Sequence, residues 1–119
     1  MDIYFNPSCG TCRTLRSILE ERGIEANYVR YLEQTPSREE IERVMGLLGI
    51  DDPREMMRTG EPVYRELGLD DASRTQLIEA MVTHPILIQR PIVIVGNRAV
   101  IARPADRVLE LLGSPTQGD

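Results

Sequence analysis

Asn6-Pro7-Ser8-Cys9-Gly10-Thr11-Cys12-Arg13 holds both cysteines of the chain. The apolar run Ile3-Tyr4-Phe5 precedes it and closes a predicted first strand over residues 2–5, and residues 14–22 read as a helix. The N–H groups of a helix's first turn lack partners inside the helix, and the helix dipole favours negative charge at that end. A thiolate is such a charge, so Cys9 is expected to ionise more readily than a free cysteine. Gly10 and Thr11 are small enough to let an anion approach the backbone, and with Arg13 they read as an oxyanion loop. A C-x-x-C between a strand and a helix is a signature of thiol redox chemistry. Zinc would need four ligands, and the chain has one histidine, His84, which reads as the polar end of a helix, so no metal is expected.

Outward from this stretch, Cys12, Leu15, Ile18 and Leu19 recur at helical spacing, and Gly23 stops that helix. Residues 25–31 read as a second strand, parallel to the first because a helix joins them. Ser37 with Glu40, and Ser73 with Gln76, are capping boxes that open two helices. The apolar faces of these helices are Ile41, Val44, Met45 and Leu48, then Leu77, Ile78, Met81 and Val82. Between them Asp52-Pro53 starts a short helical piece, and residues 64–67 form another. His84-Pro85 ends the second helix. Residues 92–95, Gly96-Asn97 and residues 98–102 predict a tight hairpin, and Pro104 opens a last helix that Gly113 ends.

The order β-α-β, helical segment, β-β-α predicts an α/β thioredoxin-like fold: a four-stranded mixed β-sheet flanked by helices. Residues 1–113 are expected to form one domain with a helical insertion at about residues 36–85, followed by a flexible tail, 114–119. In that arrangement the residue opening the third strand is a proline beside the cysteine turn, and Pro91 is the candidate for a cis peptide.

Composition bounds the function. The 119 residues carry 41% hydrophobic and 28% charged side chains, the balance of a soluble globular chain. A net charge of −5, no Trp and one Phe argue against a nucleic-acid surface. No run is long enough to span a bilayer and no signal segment is apparent, so the reading is cytoplasmic, in keeping with two closely spaced cysteines. All 14 basic residues are Arg, a bias that reads as base composition, so only arginines placed by context argue for anion binding.

Four stretches, taken in order, carry a resemblance. They are Asn6-Pro7-Ser8-Cys9-Gly10-Thr11; Arg58 with Tyr64-Arg65-Glu66-Leu67-Gly68-Leu69; His84-Pro85-Ile86-Leu87-Ile88-Gln89-Arg90-Pro91-Ile92; and Arg103-Pro104 leading to Val108-Leu109-Glu110. Over residues 3–112 the chain resembles the glutaredoxin-dependent arsenate reductase family (ArsC), within the ArsC/Spx/YffB group. The resemblance implies reduction of arsenate to arsenite, a nucleophilic Cys9, and three arginines on the oxyanion: Arg58, Arg90 and Arg103. It also implies glutathione as co-substrate, glutaredoxin as partner and no bound cofactor; a monomer is expected. Planar guanidinium groups suit a tetrahedral oxyanion because they bind it through paired charge-assisted hydrogen bonds.

Two positions depart from the better-known members. Phe5 stands where they carry a histidine, and Cys12 where they carry no cysteine. Cys12 lies one helical turn from Cys9, so it is a candidate resolving thiol or a buried apolar-face residue. Two other readings stay open: a redox-sensing regulator like Spx, and a general glutaredoxin-like thiol-disulfide oxidoreductase using the Cys9–Cys12 pair.

Overall fold

Strand β1 (Asp2–Tyr4) is an inner strand of the sheet. It pairs in parallel with β2 (Asn27–Val29) and antiparallel with β3 (Ile92–Val95), which pairs antiparallel with β4 (Arg98–Ile101). The strand order is β2-β1-β3-β4 in this computed structural model, which describes residues 1–112. This is the expected four-stranded mixed sheet. A parallel pair cannot be closed by a hairpin, and helix α1 (Gly10–Glu21) supplies the crossover between β1 and β2. The β3–β4 loop is Gly96-Asn97, with Gly96 at φ +58°, a conformation that only glycine enters freely.

The chain divides into two compact units: Met1–Arg30 together with the segment from Arg90 onward, and Tyr31–Gln89. In the first, Ile3, Phe5, Val93 and Val100 form a core with Cys12, Leu15 and Leu19 of α1 and with Ala105 and Val108. All three α1 residues are fully buried, so the helical spacing read from the sequence marks the face that packs. Burying a leucine such as Leu15 contributes about 1.5–3 kcal/mol.

The second unit contains α2 (Arg38–Leu48), α3 (Pro62–Glu66) and α4 (Arg74–Thr83), with single 3-10 turns between and after them. Ile41, Val44 and Met45 of α2 and Leu77, Ile78 and Met81 of α4 are buried. The capping box at Ser73 and Gln76 forms in both directions. At Ser37 the hydroxyl takes the Glu40 N–H at 3.1 Å, while the Glu40 carboxylate holds Arg43 through two bonds of 2.9 and 2.8 Å. An antiparallel bridge of Met57 with Ile88 ties the two ends of the segment, flanked by Gln89 N–H to Met56 O at 2.9 Å.

Some boundaries differ from the sequence reading. α1 begins at Gly10 rather than residue 14, because the cysteine turn is itself the start of the helix. β2 is shorter than residues 25–31, since only Asn27, Tyr28 and Val29 meet partners on β1. The last helix opens as a 3-10 turn, Ala105–Val108, before α5 (Leu109–Leu112). The expected stop at Gly113 and the tail 114–119 lie outside the described residues. Among the described residues no helix is long and apolar enough to cross a membrane.

Candidate active site

Sheet register assembles the site. β1 ends at the cysteine turn, and the pairing of Tyr4 with Ile92 sets the start of β3 beside that end. Ile92 in turn faces Ile101 at the end of β4, and Ala102 N–H extends the ladder to Pro91 O at 2.9 Å. Arg90 and Arg103 are therefore the residues just outside a paired strand end, both at the edge where Cys9 sits. Arg103 Nη1 donates to the Arg90 carbonyl at 2.9 Å and stands 3.9 Å from Cys9 Sγ. The Arg90–Pro91 peptide is cis, as is Arg103–Pro104.

Cys9 is the N-cap of α1, with extended backbone (φ −89°, ψ 124°). Its N–H donates to Asn6 O at 3.0 Å, and the Ser8 N–H donates to Asn6 Oδ1 at 2.9 Å, so Asn6 shapes the turn from both its carbonyls. Arg13 reaches back across the turn, its Nη1 donating to Pro7 O at 3.0 Å. Gly10, Thr11 and Arg13, expected in a loop, lie in the first turn of the helix. The N–H groups of Gly10 and Thr11 belong to the turn whose donors lack partners inside the helix, whereas the Arg13 N–H donates to Cys9 O at 3.0 Å. Gly10 is exposed, and a Cβ there would meet nothing closer than Arg13 Nη2 at 3.9 Å. The fold itself does not require glycine at that position; an incoming ligand's approach to the backbone would.

Opposing forces act on the Cys9 thiol. Partial burial pushes its pKa up; the N–H of Cys12, the Arg90 guanidinium, the Cys12 thiol and the N–H of Thr11 pull it down further, and the result is about 6 against an ordinary 9.0. The sulfur makes no close capping bond, so the backbone acts on it as a set of converging dipoles. Cys12 behaves oppositely. Burial, and next to it the charge on Cys9, raise it to about 11. Cys9 is partly exposed and Cys12 fully buried, and neither is in a disulfide. The result is one partly exposed sulfur with a lowered pKa and one buried sulfur with a raised one.

Arg58 belongs to the other unit, where its Nε meets Glu61 Oε2 at 3.0 Å. Phe5 is buried at 2% exposure, edge-on to Tyr28 at 5.1 Å, with the Arg16 guanidinium 5.2 Å over its ring. His84 caps the C-terminus of α4. Sequence reading missed Arg54. Its Nε donates to Tyr64 Oη at 3.0 Å, and its Nη2 donates to the carbonyls of Leu69, Asp70 and Ala72 at 2.8–3.2 Å. Tyr64 Oη passes a bond to Asp70 Oδ1 at 2.9 Å. The only signal available was an arginine after Asp52-Pro53, which does not reveal a partner ten residues on. A hollow of about 510 Å³ in the same unit, lined by Leu67, Leu69, Gln76 and His84 among others, contains none of the expected site residues. Among the described residues no three His, Cys, Asp or Glu side chains gather as metal ligands.

A sequence model described as the ArsC family matches residues 4–111. A Haemophilus influenzae protein named arsenate reductase is 44% identical over 92% of this chain and 97% of its own length. Escherichia coli K12 YfgD, whose function is uncharacterised, is 41% identical over 93% of this chain and 95% of its own. The solved structure of an arsenate reductase from Vibrio cholerae superposes with a TM-score of 0.89 at 43% identity, covering 92% of this chain and 97% of that one. The cysteine turn, the sheet that sets two arginines beside it and these likenesses over nearly the whole length lead to one assignment: the chain belongs to the ArsC family.

Proposed function

We propose that this protein is an arsenate reductase whose nucleophile is the Cys9 thiolate. The observation that carries the reading is the Cys9 sulfur at the N-cap of α1, with a pKa of about 6, beside Arg90 and 3.9 Å from Arg103. With that pKa, Cys9 is mostly thiolate at neutral pH. The thiolate attacks arsenic, an S–As bond forms, and an arsenic–oxygen bond breaks as that oxygen leaves, protonated, as water. Arg90 and Arg103 offset charge on the remaining oxygens, and the first-turn N–H groups face the same anion. For Arg58 the proposed role rests on the family resemblance alone. A thiol then releases arsenite from the adduct, with glutathione as the co-substrate and glutaredoxin as its partner. No bound cofactor takes part. The reaction suits a monomer in the reducing cytoplasm.

The test is arsenite production from arsenate with glutathione and glutaredoxin supplied, for wild type and Cys9→Ser. The expected result is turnover in the wild type and none in the variant; arsenite formed by Cys9→Ser at the wild-type rate overturns the assignment. One observation favours a second reading: Cys12 behind Cys9 also suits a dithiol sensor or thiol-disulfide oxidoreductase. Wild type inert toward arsenate but oxidised by a glutathione mixed disulfide would favour it.

A further inference from the structure

We infer that Cys12 is the resolving thiol: it attacks the Cys9 sulfur of the arsenic adduct, so that each cycle releases arsenite and leaves a Cys9–Cys12 disulfide. The inference rests on the arsenate reading above. It deepens that reading by assigning the second thiol step to the chain itself rather than to glutathione.

Placement carries the proposal. Cys9 is the N-cap of α1 and Cys12 its third helical residue, two positions whose side chains reach toward one another in capped helices. Cys9 packs against the core cluster that contains Cys12, which sets the partly exposed sulfur over the buried one. Cys12 is fully buried, so an external oxidant or alkylating agent meets Cys9 first.

Charge sets the order of events. While Cys9 is a thiolate, burial and then the Cys9 charge keep Cys12 protonated, against the pull of the Asn6 backbone toward its thiolate. Once the Cys9 sulfur is bonded to arsenic the negative charge lies on the arsenic oxygens rather than on that sulfur, whereas Arg90, which favours a thiolate at Cys12, stays. Cys12 then gives its proton to an arsenic oxygen and its sulfur attacks the Cys9 sulfur. An S–S bond forms, the S–As bond breaks with its electron pair going to arsenic, and arsenic falls from pentavalent to trivalent. Two thiols have become one disulfide, so the electrons balance without an external thiol. A dithiol reductant, such as a reduced glutaredoxin or thioredoxin, is needed only to start the next cycle.

The experiment is a single turnover without thiol. Fully reduced protein, freed of reductant, is mixed anaerobically with arsenate; arsenite is quantified, and the cysteines are assigned by alkylation and mass spectrometry. The expected result is about one arsenite per chain with both cysteines joined, and further turnover only after a dithiol is added. Cys12→Ser and Cys12→Ala, checked for folding by circular dichroism, are expected to form less than about a tenth of that arsenite until glutathione is supplied. Wild type that forms no arsenite without thiol, yet turns over once glutathione is present, overturns the inference while the arsenate reading stands. Cys12→Ala matching wild type in the thiol-free reaction overturns it equally. No arsenite under any condition, glutathione and glutaredoxin included, defeats the proposed function and the inference with it.

Discussion

Arg103 Nη1 stands 3.9 Å from the sulfur of Cys9, and the same nitrogen is fixed by a 2.9 Å bond to the Arg90 carbonyl. Among the described residues the guanidinium is therefore held by backbone rather than by a carboxylate. An Asp or Glu in that place would cancel part of the charge an oxyanion needs; a carbonyl orients the group and leaves its charge available.

This arrangement predicts a pH profile. Because the thiolate is the reactive form and the Cys9 pKa is lowered to about 6, the rate of Cys9 alkylation rises as pH passes upward through about 6 and levels off above it. Arg90→Gln removes one of the groups that hold the thiolate, so its midpoint moves up toward the ordinary 9.0. Iodoacetamide labelling read by mass spectrometry checks both; an unmoved midpoint in the variant would remove Arg90 from the electrostatics of the sulfur.

Arg103→Gln tests the oxyanion role directly. Hydrogen bonds to charged groups are worth about 1.5–3 kcal/mol, so kcat/KM for arsenate is expected to fall roughly ten- to a hundred-fold. Steady-state kinetics with excess reductant would measure it, and a variant as efficient as wild type would place the oxyanion elsewhere.

Gly10→Ala separates fold from function. The added methyl meets only Arg13 Nη2, at 3.9 Å, and Gly10 does not have a positive φ, so the unfolding free energy from urea denaturation is expected to stay within about 0.5 kcal/mol of wild type. Activity on arsenate is expected to fall, because the methyl stands where an anion must approach the first turn. Equal loss of stability and activity would mean that the glycine serves packing.

Tyr64→Phe probes the cluster that organises the second unit. It removes the hydroxyl that accepts from Arg54 and donates to Asp70, two bonds of 3.0 and 2.9 Å at a residue 4% exposed. The expected destabilisation is about 1–2 kcal/mol by urea denaturation. No change would show that Arg54 holds the neighbouring carbonyls without help.

Local chemistry made much of this protein legible from its residues. Ser73 and Gln76 start a helix through bonds that lie within one turn, Gly96 enters a positive φ that its neighbours avoid, and Cys12, Leu15 and Leu19 share a face because a helix repeats every 3.6 residues. The lowered pKa of Cys9 was legible for the same reason: it begins with the turn the residue occupies. Only the tertiary structure decided the rest. Cys9, Arg90 and Arg103 are far apart in the chain, and they meet because β3 pairs with β1 and β4 with β3 in one register, a fact that no single stretch contains. Arg54 found its carbonyls through turns whose backbone directions local composition does not encode. Helix starts, turns and periodicity depend on neighbours within a few residues, whereas which charge faces which sulfur depends on how distant strands align.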